Sequence, residues 1–185
     1  MRRTKRGKGG GQVSPEDERP LEPDKFRQLM RRQASTVVIV TVAGKRPTGF
    51  TATSFTSVSL NPPLVLFCLD RSSSSWPAVA RARHLSIHLL ADGQEDIART
   101  FATSGIDRFA DSTWSPDEDG IPSIKGVLAR LTCRVVERTA AGDHSIVLAE
   151  PVRASTATPP GADRSSTTTA VTRRLASGDD LADSG

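Results

Sequence analysis

Apolar positions recur along this chain with two different periods, and each change of period marks an element. In DKFRQLMRRQA, Phe26, Leu29, Met30 and Gln33 fall at i, i+3, i+4 and i+7, with Asp24 available as N-cap. That spacing predicts a short amphipathic helix. From Thr36 to Val42 β-branched residues take over, Gly44 and Pro47 interrupt them, and apolar residues resume at Phe50, which predicts a β-hairpin. SVSL then leads through NPP into LVLFCL. Leu64 to Leu69 are apolar without alternation, which predicts a strand buried on both faces. Pro62 and Pro63 belong in the turn before it, because neither can donate a ladder hydrogen bond.

The second half repeats these themes. RSSSSWPAVARAR is a polar cluster feeding a short helix that starts near Trp76, with Pro77 in its first turn. In HLSIHLL, Leu85, Ile87 and Leu89 alternate with Ser86 and His88, which predicts a further strand; His84 sits at the preceding helix end, where it meets terminal carbonyls. DGQEDIARTFA predicts a helix from Ile97 and Phe101 at i, i+4, with Asp92 and Glu95 at capping-box spacing. Residues 107–123 read as loop, and GVLARLTCRVVE and HSIVLAEPV as two closing strands. Many short strands with helices at the edges predict a mainly β fold, a small antiparallel barrel with a few peripheral helices.

Composition sets the scale. A chain of 185 residues, 36% hydrophobic and 25% charged, supports one domain with loose ends. The expected division is a disordered basic arm over 1–22, a folded domain over 23–153 and a disordered tail over 154–185. No run of eighteen apolar residues exists, and MRRTKRGKGGGQ carries no apolar core of a leader, so neither a membrane span nor export is expected. Cys68 and Cys133 lie in apolar strand-like runs and read as reduced buried thiols, which points to the cytoplasm. The net charge of +4 is concentrated in Arg2, Arg3, Lys5, Arg6 and Lys8. Gly9 to Gly11 follow and no aromatic residue is interleaved to stack bases, so the arm reads as a solvated leader and not as a specific nucleic-acid site.

The chemistry lies between Gly49 and Pro77. Thr51, Thr53, Ser54, Thr56, Ser57 and Ser59 supply hydroxyls beside backbone amides, and a second cluster from Arg71 to Ser75 adds more hydroxyls and a cation. Such groups can bind a flavin ring edge and a phosphate without adding fixed charge, although Ser/Thr-rich strands are also ordinary barrel strands. The glycine-rich signatures G-x-G-x-x-G and G-x-x-x-x-G-K-[ST] are absent, so a nucleotide would be held by another scheme. Trp76 and Trp114 read as packing residues.

Four blocks carry a resemblance: FRQLMRRQASTVVIVTV at 26–42, GFTATSFTSVSLNPPLVLFCLDRSSSS at 49–75, FAT at 101–103 and AGDHSIVLAE at 141–150. In this order over 26–152 the chain resembles the flavin reductase-like, FMN-binding split-barrel family, in particular the reductase components of two-component flavin monooxygenases. The resemblance implies a split β-barrel, NADH or NADPH as hydride donor and FMN, FAD or riboflavin as acceptor. It also implies a homodimer that releases diffusible reduced flavin to a partner monooxygenase. Carried over residue by residue, flavin contacts fall on Thr51, Ala52, Thr53, Ser54, Ser57, Val58 and Ser59, and on Leu69, Asp70, Ser73 and Ser74. His88 stands where relatives often carry an Asn beside the flavin. His144, in Gly142-Asp143-His144, matches a motif whose His faces the nicotinamide, where an imidazole can orient the amide and offset charge developing near flavin N1. No residues are assigned to a metal.

The family usually ends on a strand of the type P-L-v-Y-h-x-r-r-Y, whereas this chain gives RSSTTTAVTRR and contains no tyrosine. Codons for Arg164 to Thr172 exist which, read one base earlier after an Asp163 codon ending in C, translate as PLVYHDRRY. The expectation is that a frameshift from about Ala154 replaced the last strand.

Overall fold

A computed structural model describes residues 22, 24, 36–111 and 113–156. The chain divides into two compact units, residues 1–33 and 34–185, and every element named here belongs to the second. The expected helix beyond its first residue, Asp24, the basic arm over 1–21 and the expected disorder and frameshift beyond Thr156 lie outside the described residues.

Among the described residues nine strands and two helices follow in order: β1 (Val38–Val42), β2 (Thr48–Ala52), β3 (Thr56–Leu60), β4 (Pro63–Asp70), α1 (Trp76–Val79), β5 (His84–Leu89), α2 (Glu95–Ala102), β6 (Trp114–Pro116), β7 (Pro122–Ile124), β8 (Ala129–Ala141) and β9 (His144–Thr156). Seven strands form one sheet in the order β2-β1-β5-β8-β9-β4-β3, antiparallel at every junction. β2 and β4 are not ladder partners, yet they approach each other: the Phe50 and Phe67 rings lie 5.8 Å apart, and the Cys68 N–H donates to Ser54 Oγ at 2.8 Å. The sheet therefore curls into an incompletely closed antiparallel barrel, as the alternation of short strands predicts.

Its inner face holds the main core, with Val40, Phe67, Leu85, Ile87, Cys133 and Val147 all fully buried. Each large aliphatic or aromatic side chain sequestered this way contributes about 1.5–3 kcal/mol. A second cluster lies on the other side of β1 and β5, where Ile39 and Leu90 meet Ala98 and Phe101 of α2 and Ile124 of β7. β1 is consequently buried along its whole length.

Several expectations need correction. β4, apolar from Leu64 to Leu69, is not buried on both faces: Val65, Phe67 and Leu69 point inward while Leu64, Leu66 and Cys68 are half-exposed. The strands buried on both faces are β1 and β5, and in β5 Ser86 and His88 are as fully covered as Leu85 and Ile87. The cover comes from 107–123, read as loop, which contains the β6–β7 hairpin. Two strands of three residues, each bounded by a proline, are too short to show a period of two. Asp92 does not cap α2; Gln94 is the N-cap residue, and its Oε1 instead accepts the Ala91 N–H at 2.9 Å. His84 begins β5 and faces solvent. β9 continues through Ala154, Ser155 and Thr156, three residues beyond the expected domain end.

Candidate functional site

The C-terminal ends of β2 and β4 lie side by side, and the hydroxyl-rich connector 53–54 and serine loop 71–75 emerge there. The Arg71 N–H donates to the Asp143 carbonyl at 3.0 Å, and Arg71 Nη2 donates to the Gly142 carbonyl, which pins the serine loop to the β8–β9 turn. Arg71, expected to reach a ligand, thus spends at least one arm on the fold. Gly142 adopts φ +63°, the left-handed conformation that lets two long strands reverse over two residues.

Between these segments and the end of α2 is a cleft of about 330 Å3. Of the residues singled out by the resemblance, Thr51, Ala52, Thr53, Ser54, Leu69, Asp70, Ser73 and His144 line it. Ser74 lines an adjoining cavity of about 170 Å3. Ser57, Val58 and Ser59 are on β3 and do not line the cleft.

His88 is not among the residues that line the cleft. It is 0% exposed within the sheet; its Nδ1 lies 3.2 Å from the Ile39 carbonyl and its Nε2 accepts the Ile124 N–H at 3.2 Å. With Nε2 accepting, Nδ1 carries the proton and donates to Ile39, so the imidazole is neutral. Burial drives its pKa down to about 4. This histidine holds β1, β5 and β7 together.

The hydroxyls of the cleft divide into committed and open. Thr51 Oγ1 donates to the Ala98 carbonyl of α2 at 2.6 Å, and Ser54 Oγ accepts from the Cys68 amide. Asp70 Oδ1 accepts from the Ser72 N–H at 2.7 Å and Ser72 Oγ at 2.8 Å, and these bonds, more than the nearby His144 and Arg71 charges, hold its carboxyl below the usual range. The Thr53 hydroxyl is exposed and has no partner among the described residues. At one rim His144 Nδ1 lies 2.7 Å from Asp143 Oδ1, and that bond keeps Asp143 ionised below its ordinary pKa. Nε2 of His144 has no hydrogen-bond partner among the described residues.

Sequence reasoning missed six lining residues: Phe50, Cys68, Phe101, Ala102, Ser104 and Arg108. Cys68, read as buried filler, is half-exposed on the cleft side of β4. The thiol that is buried is Cys133, where desolvation raises the pKa to about 12 and leaves it protonated. Arg108 reaches the site from 59 positions away in sequence to bond Gly49, a distance that no local spacing signals. Trp76 and Trp114 pack as expected, Trp76 against the main core and Trp114 edge-on to Phe109 at 5.1 Å.

The donor set fits a flavin. It offers an open hydroxyl, backbone amides from two strand ends and a histidine at the rim, while the one lining carboxylate is satisfied by Ser72. Comparison with known proteins points the same way. The model of the flavin reductase like domain matches residues 30–170. The chain is 41% identical over 140 residues to the reductase component of 4-nitrophenol 4-monooxygenase/4-nitrocatechol 2-monooxygenase from Rhodococcus opacus, covering 75% of each. It is 40% identical over 131 residues to the FMN reductase (NADH) SmoA of Agrobacterium fabrum, covering 70% of this chain and 75% of that one. Among solved structures, it superposes on the NADH:FAD oxidoreductase SgcE6 of Streptomyces globisporus, in complex with NAD and FAD fragments. There the TM-score is 0.68 at 35% identity over 80% of this chain and 87% of the other. For the flavin reductase domain protein of Arthrobacter sp. FB24 the TM-score is 0.69 at 34% identity, over 76% and 86%. On that coverage and identity, the chain belongs to the flavin reductase like domain family.

Proposed function

We propose that this chain is an NAD(P)H-dependent flavin reductase that delivers reduced flavin to a monooxygenase. The observation that carries the reading is the cleft at the β2 and β4 ends, with open hydroxyl and amide donors on one wall and His144 on the rim. A bound flavin supplies the hydride acceptor. The chain's part is to hold that ring and the nicotinamide face to face, an effect of orientation that can lower a barrier by about 7–11 kcal/mol without a nucleophile or metal. Thr53 and the strand-end amides hold the flavin edge. His144, fixed through Nδ1 by Asp143, presents Nε2 to the nicotinamide amide.

The test is oxidation of NADH and NADPH with FMN, FAD or riboflavin added in turn, beside a spectral titration with each flavin. Absence of both flavin binding and turnover removes the reading. His144→Ala is expected to raise KM for the nicotinamide roughly tenfold with flavin affinity unchanged, the loss of one hydrogen bond to a polar ligand. Thr53→Ala is expected to do the reverse. Unchanged titrations in both variants would remove these two assignments.

A homodimer is part of the proposal. Leu66 and Leu148 are cross-strand partners on the outer face of β4 and β9, beside Leu64 and Ile146, all half-exposed, and Val136 is 48% exposed on β8. Such a face suits a second copy of the chain. Sedimentation should give twice the 19.8 kDa chain mass, and Leu148→Glu should shift it toward the monomer. The described helices include none long and apolar enough to cross a membrane, and we place the protein in the cytoplasm. The frameshifted tail stays a proposal for the nucleotide sequence to decide. Codons over 154–172 that cannot encode the strand in a neighbouring frame would overturn it.

A further inference from the structure

Arg71 stands at the foot of the serine loop and is not among the residues that line the cleft. Both carbonyls of the two-residue β8–β9 turn nevertheless accept hydrogen bonds from it: its backbone N–H donates to Asp143 at 3.0 Å, and its Nη2 donates to Gly142. Ala141 and His144 form the last pair of the β8–β9 ladder, so these two carbonyls lie outside it and would otherwise turn to water. One bond would leave the turn free to rock about it. Two bonds to consecutive peptides fix the tilt of both.

That tilt matters because the turn carries an imidazole. Asp143 is exposed and ionised at neutral pH and can only accept, so at 2.7 Å His144 Nδ1 is the donor. Nε2 then has no proton and is an acceptor. The direction of the ring follows from the Asp143 carboxylate, and that of the carboxylate from its peptide. At its other end Arg71 belongs to a braced loop. Asp70 Oδ1 accepts from the N–H and Oγ–H of Ser72, the Ser73 N–H donates to the Asp70 carbonyl at 3.1 Å, and the Trp76 N–H donates to the Ser73 carbonyl at 3.0 Å. Trp76 packs against the main core. The β4–β9 ladder, which pairs Asp70 with His144, brings the histidine to this wall, and Arg71 sets how the turn before it sits.

We propose that Arg71 is a positioning residue for the reaction: by tying the β8–β9 turn to the serine loop, it sets the direction in which His144 meets the nicotinamide amide. What His144 meets rests on the flavin reductase reading; the tie between Arg71 and His144 does not.

The experiment compares the full chain with Arg71→Ala, His144→Ala and the double variant. KM is measured for NADH and for uncharged 1-benzyl-1,4-dihydronicotinamide, which keeps the amide and lacks the diphosphate, beside a flavin titration. Arg71→Ala is expected to raise both KM values by roughly threefold to tenfold, the worth of one hydrogen bond, with flavin affinity unchanged. In the His144→Ala background it is expected to add less than about twofold, because the residue it acts through is gone. A rise for NADH alone that persists without His144 would mean that the Arg71 charge merely attracts the diphosphate, and overturns the proposal. Additive losses with either donor, an equal loss of flavin affinity, or no change in either KM overturn it as well.

The tie itself is read without turnover. In alkaline solution the imidazole nitrogen chemical shifts of the unliganded chain show which nitrogen of His144 is protonated, its signals being identified by their loss in His144→Ala. The parent is expected to show Nδ1–H, as the bond to Asp143 requires, and Arg71→Ala a larger share of Nε2–H, with the signals of His84 and His88 unmoved. An unchanged His144 tautomer overturns the proposal. A parent that neither binds flavin nor oxidises NADH removes the functional reading and leaves the tautomer to decide the tie.

Discussion

Lowering the pH from 7 to 4 is expected to remove about 3 kcal/mol of folding stability through His88 alone. The folded imidazole has its pKa near 4 against an ordinary value of 6.5. Between those two values the unfolded chain binds a proton that the folded chain refuses. The contribution is fully present above about pH 6.5, is lost progressively as pH falls through the window, and changes no further below about 4. Each pKa unit corresponds to about 1.4 kcal/mol, which gives the magnitude.

The geometry supplies the same answer independently. A proton on Nε2 would face the Ile124 N–H, turning an accepted hydrogen bond into opposed donors inside a sheet that admits no water. Of the charged groups that reach the ring, Arg130 disfavours the imidazolium and Asp117 favours it, and both act less than burial. Urea titrations of the parent and of His88→Gln at pH 7, 6, 5 and 4.5 isolate the effect. The variant loses about 1–3 kcal/mol at neutral pH and runs flatter below 6.5. The acidic groups common to both cancel in the comparison. Parallel pH profiles would show that His88 is not the group responsible.

His88 also shows why part of this fold was legible in the sequence and part was not. Alternation along Leu85, Ser86, Ile87 and His88 reveals a strand and its inward face correctly. It cannot reveal what covers the other face, because a period of two reports polarity and not solvent. That cover is a hairpin some 30 positions further on, whose three-residue strands carry no periodic signal of their own. β4 errs in the opposite sense: its outward leucines are apolar although the described fold leaves them half-exposed, and a second copy of the chain is what we propose to meet them.

The site divides along the same line. A hydroxyl-rich stretch at strand ends is visible as composition, but Thr51, Ser54 and Asp70 use their side chains within the fold, and only packing separates them from Thr53. Arg108 comes from a turn that shares no pattern with β2 or β4, so its place in the cleft emerges from tertiary structure alone.

Gly49→Val is expected to damage stability and ligand binding together. A Cβ at this position lies 2.7 Å and 3.1 Å from ring atoms of Phe101 and 3.0 Å from Phe109. Those rings cannot withdraw cheaply: Phe101 is 1% exposed and meets Phe109 edge-on at 5.0 Å, and Phe109 in turn meets Trp114, whose indole N–H is held by the Phe109 carbonyl at 2.9 Å. Overpacking of this kind costs about 1–3 kcal/mol for a small intrusion and more for a branched one. At this chain length that lowers Tm by roughly 2–4 °C per kcal/mol. The carbonyl of the same residue anchors Arg108, and Phe101 itself lines the cleft, so a backbone displaced away from the rings shifts both. Gly49→Ala should show a smaller loss of the same kind. Combining it with Phe101→Leu, which withdraws the obstructing ring edge, should recover part of the lost stability and the lost FMN affinity. Strictly additive losses in that double variant would mean that the glycine is required for some reason other than the close approach of these rings.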